Sequence, residues 1–119
     1  MGDFPLYLAL IGFVAMGLGA LVRPTLVTAQ FGIPDLTPAG RSEVRAVYGG
    51  FGLAMAGVLG VALGQPALRG GIVLAIAAAL GGMAAGRLLS ALSDRRIDRL
   101  PLFYLVLEVV IAAMLMAAS

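Results

Sequence analysis

The chain has no cysteine and no histidine, and all eight of its basic residues are arginine. Without cysteine there is no disulfide, no thiolate nucleophile and no iron–sulfur ligand. Without histidine the usual protein ligands of zinc and haem are missing, and so is the commonest general base. The acids are scattered rather than clustered, so no carboxylate metal site is expected and no cofactor is implied. Charge is scarce too. Asp, Glu, Lys and Arg make up 12% of 119 residues, and the formal net charge is only +2. That balance is too small and too dispersed for a nucleic-acid surface. Soluble domains carry roughly a quarter charged residues. Here 61% of the chain is hydrophobic and the mean hydropathy is +1.06. A single domain of this length cannot hide that much apolar surface from water, so its solvent is lipid.

Four apolar runs fill most of the chain. They predict transmembrane helices at about 4–22, 38–63, 71–93 and 101–118, each near the ~20 residues that cross a ~30 Å hydrocarbon core. The runs are continuous, without the alternation of barrel strands. The expected fold is therefore all-α, a single four-helix transmembrane bundle over residues 1–119. Asp3 is the only charged side chain before the first run, where a signal peptide would carry a basic region, so that run reads as a retained helix. Between the first two runs, Pro24 suits the first turn of a short interfacial helix that Gly32 closes. Thr37-Pro38 reads as the cap and first residue of the second spanning helix. Arginine counts set the orientation. Arg23, Arg41, Arg95, Arg96 and Arg99 lie in the first and third connections and only Arg69 in the second, so both termini are expected outside a bacterial inner membrane.

Small residues recur at four-residue spacing, Gly52, Ala56, Gly60 and Gly64 on the second spanning helix and Ala78, Gly82, Gly86 and Ser90 on the third. Such stripes let helix backbones approach in lipid, where hydrophobicity gives no drive to associate. Gly49 and Gly50 are costly inside a helix and are also assigned to packing. Packing within one chain accounts for all of these, although a second copy or another membrane protein would use the same faces.

The charges inside the runs carry the functional signal, because ionisable groups at membrane depth are expensive. Glu43 and Arg45 open the second spanning helix, Arg87 lies in the third and Glu108 in the fourth. Arg45, Arg87 and Glu108 each fall ~10 Å from a helix end. The four charges cancel, and Arg87 is the expected partner of Glu108. Tyr48 is expected on the Arg45 side, Tyr104 on the Glu108 side, and Asp94 below Arg87 and Ser90. The candidate ligand set is thus Glu43, Arg45, Tyr48, Arg87, Asp94, Tyr104 and Glu108.

The segments SEVRAVYGG and GRLLS, with Asp94 and Glu108 after them, resemble a family of short bacterial four-helix inner-membrane proteins known only as a domain of unknown function. A looser similarity is to DoxX-like proteins. The family resemblance implies Glu43, Arg45, Tyr48, Gly49, Gly50, Arg87, Asp94 and Glu108 as motif positions. It also implies glycine after the aspartate, where this chain has Arg95.

Three functional classes follow. One is a protein that binds or transports a small anion, a polar metabolite or a lipid headgroup. The second is a structural or accessory subunit whose charges lock its helices, with membrane lipid as its surroundings. The third, an intramembrane enzyme with Glu43 or Glu108 as base, is the weakest, since no serine elbow or metal motif accompanies them. Small multidrug exporters carry an acid in their first helix, and residues 4–22 have none.

Overall fold

A computed structural model describes residues 2–118 of the chain. Helices account for nearly all of it: α1 (Phe4–Val22), α2 (Pro24–Ala29), α3 (Pro38–Val44), a π-helical turn (Arg45–Gly50), α4 (Phe51–Gly64), α5 (Pro66–Asp94) and α6 (Arg99–Ala118). No strand occurs among the described residues. Four stretches are long and apolar enough to cross a membrane: Phe4–Val22, Pro38–Gly64, Pro66–Asp94 and Arg99–Ala118. That is the make-up of a multi-pass membrane protein, in which helices satisfy their own backbone groups where lipid cannot.

The helix ends follow from local chemistry. Pro24 opens α2, where the missing proline N–H is no loss. Beyond it, Gly32 takes φ +80°, the Gly32 N–H donates to the Ala29 carbonyl and the Ile33 N–H to the Thr28 carbonyl. These are the paired bonds of a glycine helix stop. Thr37 caps α3, its hydroxyl accepting from the Gly40 N–H at 3.0 Å, with Pro38 behind it. The third spanning helix starts at Pro66, five residues before the start expected from its apolar run, because proline again fits a first turn.

Two compact units divide the chain, one comprising Met1–Leu6 with Val61–Ser119 and the other Tyr7–Gly60. In the first, α5 and α6 pack as an antiparallel hairpin. The buried residues of α5 are Val73, Ile76, Ala77, Leu80 and Ala84, a stripe at helical spacing. Those of α6 are Glu108, Ile111 and Leu115. Glu108 therefore occupies a core position of its helix, one turn from Ile111. At the other end of the same unit, Arg69 donates to an Asp3 carboxylate oxygen at 2.6 Å and to the Gly2 carbonyl at 3.0 Å.

The second unit is built on close backbone approach. A Cβ at Gly17 would stand 2.9 Å from the Gly49 carbonyl oxygen and 2.9 Å from the Leu53 nitrogen, and one at Gly52 would stand 3.0 Å from the Phe13 carbonyl oxygen. Helix α1 thus crosses the π-helical turn and the start of α4 where neither side has room for a side chain. The turn itself departs from the continuous α-helix expected over 38–63. Gly49 and Gly50 hold an α-helix weakly, and the wider winding falls on the crossing. The expected stripes divide accordingly. Gly49, Gly52 and Ala56 are buried, whereas a Cβ at Gly60, Gly82 or Gly86 would meet no described atom within 4 Å. Gly50 is exposed, with only the carbonyl of Arg45 nearby.

Candidate functional site

The ion pair inside the hairpin is the strongest polar feature at membrane depth. Arg87 Nε donates to Glu108 Oε1 at 2.9 Å and Nη2 donates to Oε2 at 3.1 Å. This two-pronged geometry matches a planar guanidinium to a carboxylate and suits a dry interior. Glu108 is nearly enclosed, its side chain 6% exposed, while that of Arg87 is 25% exposed. The guanidinium carbon lies 5.2 Å from the centre of the Tyr104 ring, within the range of a cation–π contact. Phe103 meets Tyr104 edge-on, with centroids 5.4 Å apart. Arg87 stands two turns before the end of α5, ~10 Å below it.

Both oxygens of Glu108 are engaged by Arg87, but the reverse does not hold. A guanidinium has five N–H groups. Two go to Glu108, and the other three have no acceptor among the described residues. On the same face of α5, Ser90 and Asp94 follow Arg87 at three and seven residues. There the turn between α5 and α6 opens into a hollow of about 220 Å³, lined by Ser90, Asp94, Arg96, Ile97, Asp98 and Pro101. Arg96 and Asp98 pair across its rim at 2.7 Å. Asp94 has no ion pair or side-chain hydrogen bond with any described residue.

The turn is shaped by a residue that resists it. Arg95 caps α5 in the left-handed conformation, φ 54° and ψ 36°, and is the one non-glycine residue with positive φ among those described. Its N–H and that of Arg96 both return to the Ala91 carbonyl. Glycine is the usual occupant of such a stop, since a Cβ is crowded there.

The remaining candidates lie in the second unit. Arg45 donates through Nε to the Leu21 carbonyl at 3.2 Å. That carbonyl belongs to the last turn of α1, where carbonyls lack helical partners, so Arg45 caps a neighbouring helix and its charge faces the negative end of that helix. Arg41 donates through Nη1 to the Leu36 carbonyl at 2.8 Å, in the connection just before its own helix. Glu43 and Tyr48 are exposed. Both Arg45 and Tyr48 fall in the π-helical stretch Arg45–Gly50, where α-helical spacing does not apply. The structure therefore brings Arg87, Tyr104 and Glu108 together within the α5–α6 hairpin, with Asp94 at the hollow above them, while Glu43, Arg45 and Tyr48 belong to the other unit. Gly17, the Leu21 carbonyl and the Asp3–Arg69 tie were not anticipated. Gly17 lies in an apolar run where glycine is unremarkable, and carbonyl acceptors leave no trace in a side-chain pattern. No group of three or more potential metal-ligating His, Cys, Asp or Glu residues is present among the described residues.

Comparison with known proteins gives a family and nothing narrower. The family described as a domain of unknown function (DUF4345) matches residues 4–119, so the chain belongs to it. No curated protein and no solved structure matches.

Proposed function

We propose that this member of the DUF4345 family binds a small polar ligand or lipid headgroup at the turn end of its α5–α6 hairpin. Ser90 and Asp94 line the hollow, and Arg87, paired with Glu108 and against Tyr104, lies one turn deeper in the hairpin. The observation that carries this reading is the unequal bonding of the ion pair. Three guanidinium N–H groups at membrane depth are unspent, and donors left dry there are costly unless an acceptor reaches them. Glu108 does not serve as a base in this scheme, because both of its oxygens accept from Arg87.

The arginine imbalance supports an orientation with the α5–α6 turn on the cytoplasmic side and both termini outside. A C-terminal reporter that is active only in the cytoplasm is then silent; an active one reverses the orientation.

A second reading has its own support. A carboxylate bonded through both oxygens to one neighbour is also what a helix lock in an accessory subunit needs. Native mass spectrometry from mild detergent separates the two. Removing both charges together, Arg87→Met with Glu108→Leu, spares the fold the cost of an orphaned charge. A bound small molecule or lipid on the natural protein, absent from this double variant, is the expected result. Ligand-free protein in both samples rejects the binding reading in favour of the lock.

A further inference from the structure

We infer that the ligand taken at the α5–α6 turn is the ammonium group of a zwitterionic phosphate headgroup, that is, an aminophospholipid. The inference rests on the hairpin being a binding site and concerns its outer hollow at the turn, beyond the Arg87–Glu108 pair. It starts from the charges around the hollow. Deep in the hairpin, Arg87 and Glu108 neutralise each other. At the rim, Arg96 and Asp98 do the same. Asp94 remains, a carboxylate lining the hollow with no partner among the described residues. The cavity therefore holds one uncompensated negative charge and the Ser90 hydroxyl beside it, which suits a cation with N–H donors. At about 220 Å³ it is smaller than the ~300–1,000 Å³ of sites that enclose whole drug-sized ligands. A headgroup fragment fits that scale.

The surroundings supply the rest of such a lipid. Arg95 at the end of α5 and Arg99 at the start of α6 are exposed and have no ion pair among the described residues. They flank the hollow without lining it, where a phosphate next to the bound ammonium would lie, and arginine is well matched to phosphate oxygens. Below them Leu89 and Leu92 on α5, and Leu102 and Phe103 on α6, are exposed at 46–69%, apolar surface for acyl chains. The backbone of Arg95 points the same way. A non-glycine residue held in the left-handed region costs stability, and a persistent outlier of that kind is grounds for suspecting a use for the side chain. A phosphate contact from Arg95 is such a use.

The test uses the full chain, purified, stripped of lipid in detergent and mixed with phosphatidylethanolamine, phosphatidylcholine or phosphatidylglycerol of identical acyl chains. Adducts are counted by native mass spectrometry. Phosphatidylethanolamine is expected to be retained over the other two by about tenfold, the worth of one charge-assisted hydrogen bond. Phosphatidylcholine carries the same charge but no N–H, and phosphatidylglycerol has no cation. Asp94→Asn should erase the preference, while Asp35→Asn, an exposed acid of the other unit, should leave it intact. Equal or better retention of phosphatidylglycerol overturns the ammonium assignment but leaves the hairpin as a lipid site. Persistence of the preference in Asp94→Asn also overturns it. Free phosphoethanolamine bound as tightly as the lipid overturns the lipid source. If none of these probes is retained, the ammonium assignment falls. The wider binding reading falls with it only if the untreated protein also carries no adduct that the Arg87→Met, Glu108→Leu variant lacks.

Discussion

The two units pair their helices by opposite means. In the α5–α6 hairpin, a buried carboxylate and a guanidinium are joined by two hydrogen bonds, and the glycines Gly81, Gly82 and Gly86 of α5 touch no described atom at the Cβ position. In the Tyr7–Gly60 unit no ion pair occurs among the described residues, and α1 lies against Gly49 and Gly52 with almost no space at Gly17. Lipid gives helices no hydrophobic reason to associate, so each pair needs another source of attraction. One unit uses a strong polar contact between side chains that hold two helices in register. The other uses van der Waals contact between backbones, which glycine permits. The first is specific and sensitive to a single atom. The second is spread over many small contacts and is sensitive to volume.

The comparison breaks most visibly at the ion pair. Arg87→Ala should destabilise the protein by about 3–5 kcal/mol, because it leaves the Glu108 charge buried and alone. Reversing the pair, Arg87→Glu with Glu108→Arg, should recover part of the loss. Thermal unfolding in detergent measures both. No recovery would mean that the pair's contribution depends on the surroundings of each helix more than on the bond between them. A volume probe comes next. Gly17→Ala puts a methyl group 2.9 Å from backbone atoms on two residues, and overpacking of that kind costs about 1–3 kcal/mol. Gly57→Ala, in open space on α4, serves as the control and should be neutral or mildly stabilising, since alanine is the better helix former. If both substitutions behave alike, close backbone approach is not what holds the second unit.

The same contrast explains which features are legible in the amino-acid sequence and which are not. Four spanning helices are legible because lipid imposes a length and a composition on every crossing. The Thr37 cap and the prolines at 24 and 38 are legible because helix ends are solved locally. Arg87 and Glu108 stand out as isolated opposite charges in adjacent apolar runs, and their pairing is formed. The second unit is harder. The Gly49-Gly50 pair signals something unusual, but not that the chain widens into a π-helical turn there or that α1 crosses at that point. Arg45 stands out by its charge, but its bond to a backbone carbonyl 24 residues earlier does not. Every residue carries a carbonyl, so sequence cannot single out the one at Leu21.

The smallest expected effect is the most discriminating, because it has the opposite sign. Arg95 adopts φ 54° at the end of α5, a conformation that glycine takes without crowding. Replacing it, Arg95→Gly, removes the crowding of Cβ against the following carbonyl and should stabilise the hairpin by about 1 kcal/mol. Part of that gain is offset by the greater freedom of glycine in the unfolded chain. A small rise in melting temperature is therefore expected, on a helix end whose hydrogen bonds to the Ala91 carbonyl are already made by backbone groups. If the arginine is kept there for its side chain, the more stable variant should also hold phosphatidylethanolamine less well, a trade of binding for stability. A variant that gains stability with no loss of lipid would show that this arginine is merely tolerated, and would remove the Arg95 phosphate contact from the proposed site while leaving the Asp94 hollow in place. Loss of stability would mean that the Arg95 side chain supports the turn, outweighing the strain of its backbone.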